Sequence, residues 1–394
     1  MQFKDILGYS STKKELLSLA HTGKIPHNIL LDQLDGMPGV PLAWAWFQYL
    51  NCEHPQEDDS CGICRHCKMI AELAYPDLYF IYPVVGAAGS EDPSGDFFSK
   101  WQEMLLAKRA YFSSEDWLEA LKADNSRPVI YSGDALSIER KLSLHISESG
   151  YRMVIIYQPE RMREEMANKL LKLMEEPPEK TLFVSVSLDP DRLLETILSR
   201  MQRLEIGTLT HEEMEHALLE YDHSLSKNDC YIATERAEGI LYKAINTLQN
   251  SQQNLSYTKD YNFVIKYIES KEVGQLKALS EEMAKKGREY VVTSLEYLLA
   301  NLRFALRCGI DASFPRETMN RPEQQIEQYI RGWVHSGNIL PLYDAIEQAI
   351  AHIKGNVVSK IVLFDLFMQL SVILTPSIKE ASLTKIKARQ KENK

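Results

Sequence analysis

Short apolar runs of strand length alternate with helical patterns through the first half of the chain, and no other feature limits its fold as strongly. The four runs lie at residues 28–31, 78–81, 153–156 and 182–186. Between the third and fourth runs, apolar residues recur at helical spacing from Ala167 to Met174, and Pro177-Pro178 ends that helix. Strands that alternate with helices are typical of a parallel sheet. The sequence therefore predicts an α/β domain with a parallel sheet.

The pattern changes near residue 207, after which the chain is predicted to be almost entirely helical. Thr210 and Glu213 form a capping box at the start of this part. One amphipathic face carries apolar residues at helical spacing, namely Leu342, Ile346, Ile350 and Ile353. Residues 357–374 predict a helix that is apolar on most sides, as is usual inside a helical bundle.

These patterns predict four consecutive parts. They are an α/β domain at 1–207, a small helical domain at 208–258, a larger helical domain at 259–378 and a basic tail at 379–394. A stretch rich in Gly, Ser, Asp and Glu begins at residue 86, and the segment 86–127 is interpreted as an insertion with two short helices. The tail carries six cations, which predicts a solvated chain end more than a nucleic-acid contact.

Four of the six cysteines lie close together in the sequence. Cys52, Cys61, Cys64 and Cys67 have the spacing C-x8-C-x2-C-x2-C. Four thiolates suit one tetrahedral Zn²⁺, and a site with four protein ligands has no open position for catalysis. We therefore predict a structural zinc module at 52–67. His66 could replace one ligand, and the alternative is four unrelated reduced thiols.

Charge and hydropathy limit the classes of function. The formal net charge of −10 disfavours tight autonomous binding to nucleic acid. The N-terminal residues are charged and show no apolar signal segment, which predicts a cytoplasmic protein. The most apolar stretch is interrupted by Lys360, Asp365 and Gln369, so no membrane role is expected.

Residues 29–45 have the strand, glycine turn and helix of a phosphate-binding loop. A working loop needs G-x-x-x-x-G-K-[ST], because its lysine pairs with phosphate oxygens and its hydroxyl holds magnesium. When Gly36 is placed at the fourth position of this pattern, the lysine position holds Gly39 and the hydroxyl position holds Val40. Pro38 and Pro41 also lack the backbone N–H groups that would hold a phosphate. The sequence predicts that this degenerate loop does not bind ATP.

The acidic half of a nucleotide site is also altered. The apolar strand at 153–156 should be followed by carboxylates that hold magnesium. Here Tyr157 and Gln158 follow the strand, and only Glu160 keeps a carboxylate. Together the two changes predict a chain without ATPase activity of its own.

Several stretches within the first 260 residues carry a resemblance to a known family. They are residues 3–8 (FKDILG), 25–28 (IPHN), 75–78 (YPDL), 167–172 (ANKLLK) and 175–178 (EEPP), together with the four cysteines. On these residues the chain resembles the AAA+ clamp-loader subunits of bacterial DNA polymerase III, and among them the delta-prime type. The resemblance implies an AAA+ domain with a zinc module, a helical lid at 208–258 and a helical collar at 259–378.

Residues 196–202 (TILSRMQ) are similar to the Ser-Arg-Cys motif of that family. Ser199 and Arg200 match it, and Met201 stands in place of the cysteine. The resemblance implies that Arg200 is an arginine finger that reaches the nucleotide of a neighbouring subunit. Without it, such an arginine would be interpreted as part of a surface salt bridge. Tyr242 stands where nucleotide-binding members carry a basic sensor.

The resemblance implies a non-hydrolysing subunit that supports ATP-dependent loading of a sliding clamp on primed DNA. Its implied partners are motor subunits and a delta-like subunit at the collar, with clamp and DNA contacted by the assembled complex. Two alternatives stay open. An active motor ATPase subunit is disfavoured by Gly39 and Val40, and a zinc-dependent nucleic-acid-binding protein is disfavoured by the net negative charge.

Overall fold

A computed structural model of the protein describes residues 1–123, 127–144, 150–249, 251–310, 334 and 337–374. The chain divides into two compact units. The first contains Met1–Leu225 and Ala237–Ala244, and the second contains Ser226–Arg236 and Ile245–Lys394. The finer boundaries near residues 207 and 258 stay predictions, and the basic tail at 379–394 lies outside the described residues.

A five-stranded sheet forms the centre of the first unit, and every neighbouring pair of strands is parallel. The strands are β1 (Asn28–Asp32), β2 (Leu78–Ile81), β3 (Arg152–Tyr157), β4 (Thr181–Ser187) and β5 (Gln202–Glu205). Their order across the sheet is β2-β3-β4-β1-β5. The prediction of a parallel α/β sheet is confirmed, and its four strands agree with the structure to within one residue at each end.

The fifth strand is absent from the prediction. β5 lies at one edge of the sheet and pairs only with β1, from Gln202 opposite Ile29 to Glu205 opposite Asp32. Of its four residues only Leu204 is buried. An edge strand with one buried side chain has no apolar run to reveal it.

Helices cover the sheet and the loops around it. In chain order they are α1 (Ser10–Thr22), α2 (Gly39–Leu50), α3 (Arg65–Ala71), α4 (Pro93–Asp96), α5 (Phe98–Lys108), α6 (Ser114–Leu121), α7 (Ser132–Ser143), α8 (Glu164–Glu175), α9 (Glu195–Leu198) and α10 (His211–Tyr221). Three short 3-10 helices lie at Phe3–Asp5, Pro159–Arg161 and Pro190–Arg192. The predicted helix before Pro177-Pro178 corresponds to α8, which ends where those prolines lack the N–H to continue it.

The described residues of the segment 86–127 form three helices, α4 to α6, instead of the two that the sequence predicts. Its tryptophans belong to the core of the first unit. Trp101 stacks on Tyr82 at 4.4 Å between ring centroids and meets Trp117 edge-on at 5.0 Å. Trp101 also lies 5.5 Å from the ring of Tyr157 at the end of β3. These aromatic contacts hold the segment against the sheet edge next to β2.

The second unit is a helical bundle. Its helices are α11 (Lys227–Arg236), α13 (Ser251–Glu269), α14 (Val273–Lys285), α15 (Arg288–Ile310), α16 (Ile339–Lys354) and α17 (359–374), and α12 (Leu241–Gln249) begins in the first unit. The predicted apolar face of α16 is confirmed, since its four residues are at most 6% exposed. Buried hydroxyl pairs, such as Tyr261 with Ser294 at 3.1 Å, satisfy polar groups inside this core.

The helix predicted at 357–374 is present at 359–374, but not all of its apolar sides are buried. Val362, Leu363 and Leu366 face the core, but Ile361 is 60% exposed and Val372 is 70% exposed. α17 therefore buries one stripe, as an outer helix of a bundle does. In the part of the chain that the structure describes, no helix is long and apolar enough to cross a membrane.

Candidate functional site

The four clustered cysteines meet in space. The sulfurs of Cys52, Cys61, Cys64 and Cys67 all lie within 4.8 Å of one another, and those of Cys61 and Cys67 are 3.9 Å apart. A tetrahedral ion with Zn–S bonds of about 2.3 Å would place its sulfurs about 3.8 Å apart. The cluster therefore has the size of a four-thiolate zinc site.

Backbone N–H groups point at three of these sulfurs. Cys61 N lies 3.2 Å from Cys52 Sγ, Cys64 N lies 3.4 Å from Cys61 Sγ, and Cys67 N lies 3.4 Å from Cys64 Sγ. Such donors stabilise thiolates in the shell around a metal. Without a metal, burial raises the pKa of Cys52 and of Cys67. Burial acts in the same direction on Cys61, but the N–H groups of Cys64 and Ile63 outweigh it and lower the pKa of Cys61 to about 6. The donor set and its surroundings fit zinc.

His66 does not join the four sulfurs. Its Nδ1 lies 2.9 Å from the carbonyl oxygen of Asn51, and its ring meets Tyr75 edge-on at 5.5 Å between centroids. The residues that could hold a metal are thus the four cysteines, and His66 packs behind them.

The N-terminal residues fasten the cysteine loop to the first unit. Asp59 accepts hydrogen bonds from the backbone N–H groups of Phe3 and Lys4 at 3.1 and 3.0 Å. Gln2 Nε2 donates to the carbonyl of Ser60 at 2.6 Å. Residues 2–4 therefore hold the middle of the loop, next to Cys61, while the cysteines stand at its two ends, which suits a structural role.

The loop remnant is the turn from Gln33 to Pro41, where the sequence predicts a degenerate phosphate loop. A side chain of this turn occupies the start of α2. Gln33 follows β1, is 5% exposed, and turns its Oε1 back to accept the N–H of Gly39 at 2.6 Å. That N–H belongs to the first turn of α2, where a phosphate would bind. Pro41, two residues on, has no N–H to offer. In the first turn of α2, the N–H of Gly39 is thus paired within the chain and Pro41 supplies no N–H.

Two further contacts fill the same turn. Asp35 accepts the N–H of Ser114 at 2.8 Å and the hydroxyl of Ser114 at 2.5 Å. The ring of Tyr242 packs on Gly36, where an added Cβ would lie 2.9 Å from Tyr242 Cδ1. Ser113 Oγ donates to the hydroxyl of Tyr242 at 3.1 Å. Tyr242, which the sequence aligned with a basic sensor, therefore covers the turn.

Tyr157 ends β3, and Glu160 follows it by three residues. Tyr157 is 2% exposed, and burial raises its pKa well above the usual value. Glu160 accepts hydrogen bonds from the hydroxyl of Ser187 at 2.8 Å and from the N–H of Leu188 at 3.2 Å. Burial raises the pKa of Glu160 despite these donors. The one remaining carboxylate is thus engaged by β4 and the residue after it.

Arg200 lies at the surface just after α9 and is partly exposed. Its Nε donates to Glu175 Oε1 at 2.8 Å, and its Nη1 donates to the carbonyl of Thr196 at 2.8 Å. Ser199 Oγ lies 3.5 Å from Nη1 and donates to the same carbonyl at 3.3 Å. Ser199 is thus next to the guanidinium, while the cysteines and the loop remnant form separate features of the unit.

A protein-family model described as DNA polymerase III, delta subunit, matches residues 8–210. The DNA polymerase III subunit delta′ of Escherichia coli strain K12 is 28% identical over 187 residues, 48% of this chain and 44% of that protein. The chain belongs to the DNA polymerase III delta-prime family. The matched range includes the cysteine cluster, the loop remnant at Gln33 to Pro41, and Arg200. Tyr242 lies outside it.

This delta-prime family member is also similar to tau subunits of DNA polymerase III. The DNA polymerase III subunit tau of E. coli strain K12 is 24% identical over 243 residues, 61% of this chain and 30% of that protein. The chain spans about half or less of the length of the curated relatives it matches. A DNA polymerase III gamma subunit-related protein from Thermotoga maritima covers 90% of this chain and 97% of its own, with 15% identity and a TM-score of 0.38.

Sequence reasoning missed three residues of these sites. Gln33 and Ser114 close the loop remnant, and Glu175 holds the guanidinium of Arg200. No local signal identifies Gln33 or Ser114. Glu175 stands in the Glu-Glu-Pro-Pro stretch that carries part of the resemblance. The sequence therefore singled out this stretch but did not indicate that Glu175 contacts Arg200.

Proposed function

We propose that this chain is a non-hydrolysing, delta-prime-type subunit of a bacterial DNA polymerase III clamp loader. The observation that carries the proposal is the hydrogen bond from Gly39 N to Gln33 Oε1, which occupies the phosphate position of the loop. A nucleotide would have to displace this buried contact and move the ring of Tyr242 from Gly36.

Charge acts in the same direction. Asp35 and Glu160 are carboxylates near the remnant, and neither has a lysine of the loop to offset it. Val40 occupies the place of the hydroxyl that would hold magnesium and is 1% exposed. We therefore expect no ATP binding by this chain.

The chain would act instead on a neighbour's nucleotide. In the proposed role, Arg200 is an arginine finger supplied in trans, and Ser199 lies beside it in the motif. A cation that approaches the γ-phosphate stabilises charge that develops during phosphoryl transfer. The partial exposure of Arg200 at the surface of the first unit is what such a contact requires.

Zinc would have a structural role in this subunit. Cys52, Cys61, Cys64 and Cys67 would hold Zn²⁺ and close the loop 52–67, which is too short to bury a core of its own. Four thiolates leave no site for water, so no step of a reaction is assigned to the metal.

The helical part at 259–378 would be the collar through which the chain joins motor subunits and a delta-like subunit. The small lid at 208–258 would connect it to the AAA+ domain. Sliding clamp and primed DNA would be contacted by the assembled complex, because a net charge of −10 disfavours DNA binding by the chain alone.

The second candidate function is an active motor ATPase subunit, which the alignment to the tau subunit favours. The two differ at defined positions: an active loop would carry lysine and a hydroxyl where this chain has Gly39 and Val40. The first candidate accounts for these residues and the second does not.

The test is reconstitution of the loader with motor subunits of the same organism. Clamp- and DNA-stimulated ATP turnover is compared for wild type, Arg200→Ala and the control Arg192→Ala, an exposed arginine eight residues earlier. We expect Arg200→Ala to lower turnover about tenfold or more, because the trans cation is lost. Arg192→Ala should resemble wild type.

Assembly is followed in parallel by size-exclusion chromatography with light scattering. Reduced turnover in an intact Arg200→Ala complex supports the proposal. Wild-type turnover in that complex, or ATP hydrolysis by this chain without motor subunits, contradicts it.

A further inference from the structure

The guanidinium of Arg200 is held on two sides within the chain. A single oxygen, Glu175 Oε1, lies 2.8 Å from Nε and 2.5 Å from Nη2. On the other side, Nη1 donates to the carbonyl of Thr196 at 2.8 Å. These contacts use three of the five N–H groups that an arginine carries.

The remaining two N–H groups lie on the outer edge, one on Nη1 and one on Nη2. Among the described residues, Ser199 contacts this edge. Its Oγ lies 3.5 Å from Nη1, at the outer limit of a hydrogen bond. A guanidinium edge with two parallel N–H groups matches a pair of phosphate oxygens. The held geometry therefore presents the part of Arg200 that can bind a phosphate.

The side chain of Asn28 links the backbone next to Glu175 to the backbone of Arg200. Asn28, at the start of β1 and 8% exposed, donates through Nδ2 to the carbonyl of Met174 at 2.9 Å and lies 3.4 Å from that of Arg200. Met174 precedes Glu175, and α8 ends at Glu175 before Pro177-Pro178. The carboxylate thus projects from a fixed helix end toward a fixed point of the chain.

The geometry points to Glu175 as a positioning residue for Arg200, an inference that rests on the proposed function. An exposed arginine side chain samples many rotamers. Fixing one rotamer on the neighbour's nucleotide costs conformational entropy, which weakens the contact of the arginine with the transition state. Glu175 and the Thr196 carbonyl order it before the subunits meet. The ion pair of Glu175 with Arg200 is exposed and therefore contributes little to the free energy of folding. Its main effect is to orient the guanidinium of Arg200.

The experiment uses the reconstituted loader and four variants of this chain: Glu175→Gln, Arg200→Ala, the double variant, and Glu176→Gln. Glu176 is the adjacent, exposed carboxylate, so its variant matches the loss of charge. We expect Glu175→Gln to lower the kcat of stimulated hydrolysis about three- to tenfold, with little change in KM for ATP or in assembly. In the double variant it should lower kcat no further than Arg200→Ala alone.

The outcomes separate the two claims. Wild-type turnover for Arg200→Ala overturns the proposed function itself. If Arg200→Ala is impaired but Glu175→Gln equals Glu176→Gln, the finger stands and the positioning role fails. An equal loss from Glu175→Gln in the wild-type and Arg200→Ala backgrounds also overturns positioning, because the effect then bypasses Arg200. Faster turnover by Glu175→Gln would mean that Glu175 restrains the finger, which contradicts the inference.

Discussion

Gln33 lies directly after β1 and turns its side-chain oxygen onto the first N–H of α2. In a working loop that N–H would face a phosphate, and a lysine would offset the charge. Here an uncharged amide satisfies the same donor permanently and within the protein. A neutral acceptor that is part of the chain agrees with the proposed subunit, whose loop would not cycle between bound and empty states.

Asp134 on α7 is a buried carboxylate outside these sites, and it gives a test at the residue scale. It is 1% exposed and accepts the N–H of Ser94 at 2.7 Å. Burial raises its pKa from 3.8 to about 6. Between those values the folded state holds a proton that the unfolded state has released, so the free energy of unfolding falls as pH rises from 4 to 6 and levels off above 6.

We predict that Asp134→Asn removes this fall in the free energy of unfolding, which amounts to at most about 3 kcal/mol over the whole pH range. Urea unfolding at pH values from 4.5 to 7 measures it. Tryptophan fluorescence reports on the first unit, because four of the five tryptophans (Trp44, Trp46, Trp101 and Trp117) lie there. Glu139→Gln, exposed on the same helix, should keep the wild-type slope. Equal slopes for Asp134→Asn and wild type would refute the prediction.

Among the elements, the cysteine loop is where a bound metal would contribute to stability. α3 begins at Arg65, and Cys64 caps it by accepting the N–H of Cys67 at its sulfur. A metal bound to these sulfurs would therefore fix both the loop and the start of a helix. Trp44 Nε1 donates to the carbonyl of Ile70 at 2.8 Å, which couples α3 to the buried α2.

We predict one zinc ion per chain, measured by elemental analysis after exhaustive dialysis. Cys67→Ser should lose most of the metal and lower the Tm of the first unit by about 5 °C or more, because a ligand of the closing ion is gone. Cys230→Ala, which removes a buried cysteine outside the cluster, should keep one zinc ion. A chain that carries no metal and has the same Tm with and without a chelator would contradict the prediction.

The elements also show which parts of the account the sequence could supply. Four strands were predictable because their apolar runs are local, and the cysteine cluster because its spacing is local. β5 was not, since only Leu204 of its four residues is buried. The contacts of Asp35 with Ser114 and of Ser113 with Tyr242 join residues 79 and 129 positions apart. Spacing alone carries no information on such pairs, so the absence of a lysine was predictable and the filled loop was not.

In the first unit as a whole, the turn where the sequence predicts a degenerate phosphate loop is filled by side chains, and Arg200 presents a cation at the surface. The loop remnant is filled from α6 by Ser114 and from α12 by Tyr242, while Arg200 lies exposed after α9. A subunit of this kind contributes to catalysis only beside a partner that binds ATP. The family membership and the proposed collar at 259–378 agree with such a role.

Calorimetric titration of Mg·ATP into the isolated chain measures whether this chain binds nucleotide. A motor subunit of the same organism serves as the positive control. We predict no saturable heat, with any Kd weaker than about 1 mM, because Gln33 and Tyr242 occupy the loop. Saturable binding in the micromolar range would contradict the proposal that this chain does not bind ATP, and it would favour the motor-subunit alternative.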